Sequence, residues 1–251
     1  MALKIKIKNN LFIVAFLIAL SSCESDSNSS AQETSSDGIG GSLATFSLAG
    51  NYLYTVDNQD LNVFSIIDPS KPVQVNNIQI GFEIETLFNN GEYLYIGSQF
   101  GMFIYGISDP EQPIYISEAQ HFRSCDPVIA NDNYAFVTLF SETICGGGLN
   151  ELQIYDITDI SNPMLINSRN LIQPKGIGLF ENYLFVCDDV IKIFDISDPT
   201  QITLANSIDI AVFDVVIYQN RLHAIGDNGL YQYGLNSNDI DEITLLSSLS
   251  Y

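Results

Sequence analysis

The sequence predicts an all-β fold, a five-bladed β-propeller built from four-stranded antiparallel blades. Three observations lead there. First, an apolar strip after a short polar turn recurs five times, as NYLYTVDN, EYLYIGSQ, NYAFVTLF, NYLFVCDD and NRLHAIGD, beginning at Asn51, Glu92, Asn133, Asn182 and Asn220. Second, the aligned positions Leu53, Leu94, Ala135, Leu184 and Leu222 are spaced by 41, 41, 49 and 38 residues. Third, each repeat holds four short strips rich in β-branched and aromatic residues, with polar turns between them and no sustained helical periodicity. Repeats of about 40 residues with four strands each are what propeller blades require.

The chain begins with a different kind of segment. Lys4, Lys6 and Lys8 precede the ten-residue apolar run LFIVAFLIAL, Leu11–Leu20. A bilayer core of about 30 Å needs about 20 residues, so this run is too short to span it and suits a signal-peptide core. The next residues, LSSC ending at Cys23, resemble the lipobox of bacterial lipoproteins. That resemblance implies a signal peptide over residues 1–22, lipidation of Cys23 and attachment to a membrane through the lipid. Residues 23–42 are Ser, Gly and acidic with almost no apolar content, the composition of a flexible tether. The CESDS stretch starting at Cys23 resembles the export signal of Bacteroidetes surface lipoproteins, which implies an outer-membrane location, facing either the cell surface or the periplasm.

Charge narrows the partners. Three of the nine Lys and Arg residues precede residue 22 and all thirty Asp and Glu follow it, so the later part carries −24. Such a field repels phosphate backbones and excludes a nucleic-acid ligand.

Within residues 43–251 the repeats follow one order: a strip before the NY-type turn, the strip after it, then strips such as LNVFSII, GMFIYGI and LQIYDIT, and finally PVQVNNIQI, PIYISEAQ or PMLINSRN. Between the third and fourth strips stands a repeated phrase: IIDPSKP from Ile66, ISDPEQP from Ile107, ITDISNP from Ile157 and ISDPTQI from Ile196. Its Asp accepts backbone hydrogen bonds at a turn, the first Pro presets φ, and the second Pro opens an edge strand where a missing N–H costs little. Asp68, Asp109, Asp159 and Asp198 are therefore turn residues. As a calcium site each turn falls short of the six to eight oxygens the ion takes. Tyr52, Tyr93, Tyr134 and Tyr183 recur at one blade position and are expected to pack between blades.

LQIYDITDISNPMLINS and IKIFDISDPTQITLANS resemble the LVIVD repeat. The resemblance is strongest in repeats 2 to 4 and weaker in repeat 5, where NSNDIDEI replaces the Asp-Pro phrase. It implies a propeller-like fold and a secreted or surface-anchored protein; it implies no catalytic residues.

If the first strand of each blade lines the central channel, the starts of those strands converge on one mouth. Glu83, Glu85, His121, Arg123, Asp126, Lys175 and Asp214 gather there and are the candidate ligand-binding residues. Cys125 precedes the inner strand of repeat 3, and Cys145 lies in that repeat's enlarged loop, FSETICGGGLNE. A Cys125–Cys145 disulfide would staple the loop, and an extracytoplasmic compartment permits it. A metal site of Cys125, Cys145 and His121 lacks a fourth ligand. Cys187, inside an apolar strip, reads as a buried small residue.

Two classes of function, and a third, stay open. The favoured one is a non-catalytic binding module for a glycan, peptide or partner lipoprotein, without metal or cofactor. The second is a glycan-processing enzyme using Glu85, Asp126 or Asp214 with Arg123 or Lys175 steering the substrate. The HExxH, GxSxG, P-loop and dinucleotide motifs are absent from the sequence. The third is a structural or assembly protein.

Overall fold

The computed structural model describes residues 41–121, 127–141 and 148–251. Cys23 and the predicted signal segment lie outside the described residues, as do Arg123, Cys125, Asp126 and Cys145. What is described belongs to one unit, Ser36–Tyr251, and contains five four-stranded sheets and no helix.

Blade 1 holds β1 (Phe46–Ala49), β2 (Tyr52–Val56), β3 (Asp60–Ser65) and β4 (Val73–Gln79). Blade 2 holds β5 (Ile84–Asn89), β6 (Tyr93–Ser98), β7 (Gly101–Gly106) and β8 (Ile114–Gln120). Blade 3 holds β9 (Val128–Ala130), β10 (Tyr134–Leu139), β11 (Glu151–Asp156) and β12 (Met164–Asn170). Blade 4 holds β13 (Ile177–Phe180), β14 (Tyr183–Cys187), β15 (Ile191–Asp195) and β16 (Thr203–Ile208). Blade 5 holds β17 (Asp214–Tyr218), β18 (Arg221–Gly226), β19 (Gly229–Gly234) and β20 (Thr244–Leu249). Each sheet is antiparallel in sequence order, and among the described residues no strand is shared between the first and last blades.

The repeated phrase forms the turn between third and fourth strands. The carboxylates of Asp68, Asp109, Asp159 and Asp198 each accept the backbone N–H two residues on, at 3.0–3.1 Å, and their carbonyls accept the N–H three residues on. Blade 5 makes the same turn without the phrase: Asp239 accepts from Asp241 N–H at 3.0 Å, and its carbonyl accepts from Glu242 N–H. At this turn repeat 5 is weaker in sequence only, because Asx-turn chemistry needs the Asp and not the Pro.

A bulge falls at the same place between third and fourth strands of all five blades, at Val63/Phe64, Ile104/Tyr105, Ile154/Tyr155, Ile193/Phe194 and Gln232/Tyr233. Bulges add local twist and re-aim side chains. Here they place a polar fourth-strand residue against the next blade's turn. Asn76 donates to the Glu111 carbonyl, Ser117 to Ile160, Asn167 to Pro199 and Asn206 to Ile240, at 2.6–3.0 Å. The blade 5 counterpart, Ser247, donates instead to Gln232 of its own sheet.

Apolar packing shows the same break. Among the described residues four buried clusters fill the seams 1/2, 2/3, 3/4 and 4/5. Tyr52, Tyr93, Tyr134 and Tyr183 pack against these clusters as half-buried residues. None of the four clusters joins blade 5 to blade 1. On the face that blade 1 turns to blade 5, Leu53, Phe64 and Ile66 are only half buried, whereas Leu94, Ala135, Leu184 and Leu222 are fully buried. On the opposite wall, Ile225 and Leu230 of blade 5 are 36% and 40% exposed.

Candidate functional site

The inner strands β1, β5, β9, β13 and β17 start on one face, and the candidates were expected at the mouth they form. Glu83 has a left-handed φ of 56°, and its carbonyl accepts Gln99 N–H. Glu85 is the extra residue of a bulge between Ile84 and Thr86, and its carboxylate accepts Gln99 Nε2 at 2.9 Å. The Lys175 N–H bonds the Cys187 carbonyl, and the next residue, Gly176, donates its N–H to Phe213 of blade 5. Gly176 has no room for a side chain: a Cβ there would stand 2.2 Å from Asp214 Oδ1.

Asp214 is half buried at the start of β17. Burial pushes its carboxyl up to about 6, opposed by the Val215 N–H that donates to Oδ1 at 2.9 Å. Gly41 lies against it, since a Cβ on Gly41 would be 2.5 Å from Asp214 Oδ2. Cys187 is fully buried and free. Burial raises its thiol well above the ordinary range; the Asp214 charge adds to this and Lys175 opposes it. The thiol is thus held in its neutral form. Ser42, placed by sequence at the end of the tether, is fully buried in the same region.

His121 belongs elsewhere. It sits at the end of blade 2, lining a cleft of about 350 Å³ with Gln120, Gln153, Tyr155 and Leu165. Behind this cleft runs a buried polar chain. Tyr155 Oη donates to Gln153 Oε1, Gln153 Nε2 donates to Glu151 Oε1, and Ser168 Oγ donates to Glu151 Oε2 at 2.8 Å. Glu151 is 9% exposed and Gln153 6%. Buried polar groups persist where they are hydrogen-bonded, and the chain fixes each side chain through the next. Sequence reasoning missed Glu151 and Gln153. Their signal was present: in a strand buried on both faces, two polar residues spaced by two interrupt one face of an otherwise apolar run.

Another cation is committed to structure. Lys192 donates to Asp188 at 2.6 Å and pairs with Asp189 at 2.8 Å, while buried Asp188 also accepts the Ile172 and Gln173 N–H groups. Among the described residues no group of three His, Cys, Asp or Glu is placed to hold a metal, and no helix is long and apolar enough to cross a membrane.

Residues 40–79, 89–119 and 174–210 match the LVIVD repeat family. These are repeats 1, 2 and 4, not the expected 2 to 4. Repeat 3 departs where its loop is enlarged. Among curated proteins, none matches this sequence. Solved structures share the architecture at low identity. A functionally unknown protein from Desulfotomaculum acetoxidans aligns with a TM-score of 0.67 at 12% identity, over 85% of this chain and 70% of that one. A periplasmic gluconolactonase from Pseudomonas aeruginosa aligns at 0.59 and 13%, over 80% and 68%. BamB from Moraxella catarrhalis aligns at 0.56 and 12%, over 74% of this chain and 54% of that one. At such identities the likeness is one of fold. The chain is a five-bladed β-propeller carrying LVIVD repeats.

Proposed function

We propose that this protein is a non-catalytic binding module, held at a bacterial outer membrane by a lipid on Cys23, that captures its ligand in the cleft between blades 2 and 3. One observation carries the reading: the buried Glu151–Gln153–Tyr155 chain ends at a cleft with His121 on its rim. A few fixed polar groups in a partly apolar hollow are the usual make-up of a small-ligand site. Amide, phenol and imidazole groups suit hydroxyl- or amide-rich ligands, such as a glycan or a peptide.

The enzyme reading rests on carboxylates. Asp214, with its carboxyl near 6, has the acidity of a general acid, but Gly41 covers it. One relative in fold is a gluconolactonase and another is BamB; fold alone does not choose between catalysis and binding.

Screening the purified protein on arrays of bacterial polysaccharides and peptides tests the cleft. His121→Ala and Gln153→Leu are each expected to weaken capture about tenfold, equivalent to roughly 1.4 kcal/mol. Undiminished capture by both folded variants would sink the cleft reading. The anchor has its own test. Cys23→Ser should move the protein from the membrane fraction to the soluble fraction; a variant still held by membranes rules the lipid out.

A further inference from the structure

The first described residues enter the ring instead of leaving it. Ser42, fully buried, accepts the Ile177 N–H of blade 4 at 2.8 Å through its hydroxyl, across 135 positions of sequence. The Ala44 carbonyl accepts the Leu87 N–H of blade 2 at 2.7 Å, and the Thr45 carbonyl accepts the Val56 N–H of blade 1 at 2.8 Å. Gly41 rests on β17 of blade 5, where a Cβ would meet Asp214 Oδ2 at 2.5 Å and Val216 Cγ2 at 3.2 Å. Four of these five residues thus touch four of the five blades.

The seam that lacks an apolar cluster is the one these residues bridge. At one register position the trailing faces of blades 1 to 4 carry buried Tyr54, Tyr95, Phe136 and Phe185, opposite Val63, Ile104, Ile154 and Ile193. In blade 5 that pair is His223 and Gln232, both half buried. Two polar residues at these positions cannot form the dry core that joins the other blades. Among the described residues no strand is shared between the first and last blades, the other means of joining them.

We propose that Gly41–Thr45 is the clasp that closes the propeller: a strap seated in the channel mouth that holds blade 5 to blade 1, and whose withdrawal opens that seam alone. The fit demands small residues at the Asp214 contact, a buried hydroxyl at residue 42, and a turn, closed by the Ala44 N–H on the Gly41 carbonyl, that leaves the Ala44 carbonyl to the Leu87 N–H of β5.

Amide hydrogen exchange on the full chain tests this. Ser42→Ala removes the acceptor at nearly constant size. Exchange at Leu87 and across β1 and β17, none of which bonds Ser42, is expected to speed up at least tenfold (about that factor per 1.4 kcal/mol). Phe136 and Val137 in β10 should keep their wild-type rates. Should Ser42→Ala fail to fold, Gly41→Ala offers the same readout, since it sets a methyl against Asp214 and leaves the strap's other bonds in place. Wild-type rates at Leu87, β1 and β17 overturn the proposal. So does uniform acceleration over all five blades, which would mean that no seam depends specially on the strap.

Discussion

Phe136→Ala is expected to cost about 3–5 kcal/mol of folding stability. Phe136 lies in β10 at zero exposure, in the cluster that joins blades 3 and 4 with Ile154, Ile177, Leu184 and Phe194. Removing the ring takes away its transfer free energy and leaves a cavity that neighbouring strands, pinned by their ladders, close only in part. The comparison that gives this number meaning is His223→Ala, at the corresponding register position of blade 5. There the side chain is half buried and no cluster surrounds it, so the cost should stay below about 1 kcal/mol. Urea unfolding of both variants measures the contrast. Equal costs would show that the seam between blades 5 and 1 is as tightly packed as the others.

Asp214→Asn is expected to stabilise the protein at neutral pH, by about 2–3 kcal/mol. The carboxyl has an ordinary value of 3.8 and is raised to about 6 in the folded state by burial. Below about pH 4 both states hold the proton, and the group contributes no pH dependence. Between about 4 and 6 the folded state keeps a proton that the unfolded state has lost, so stability falls as pH rises. Above about 6 the buried charge is present in full, at about 1.4 kcal/mol for each unit of displacement. Asn is neutral throughout and keeps an acceptor for the Val215 N–H. The variant's advantage should therefore be full at pH 7 and vanish near pH 4. Thermal melts across that range decide the matter: an advantage independent of pH would exclude charge burial as its cause.

Some of these features were legible in the sequence and others were not, for identifiable reasons. The phrase from Ile107 to Pro113 gave away its turn because Asp and Pro act on atoms two or three residues away. Asp239 escaped notice because its turn keeps that geometry without the Pro. The sequence put the strand-start charges at one mouth, yet the structure divides those that it describes. Asp214 and Lys175 lie near Cys187 under the strap, whereas His121 faces the cleft between blades 2 and 3. Composition made residues 23–42 one polar tether, and nothing in Gly41 or Ser42 distinguishes them from the Ser and Gly before them.

The sequence by itself determined the number of blades, four strands in each, their order, and the turns that separate them. Those properties rest on alternation with period two and on turn chemistry, both of which act within a few residues. Only the tertiary structure decided that among the described residues four seams hold a buried apolar cluster and one does not, that Glu151 and Gln153 turn inward at a blade junction, and that Gly41 lies against Asp214. Each depends on residues brought together from distant parts of the chain, as when Ser42 meets Ile177 across 135 positions. A local pattern shows that a face is apolar or polar; which surface lies against it is settled when the ring closes.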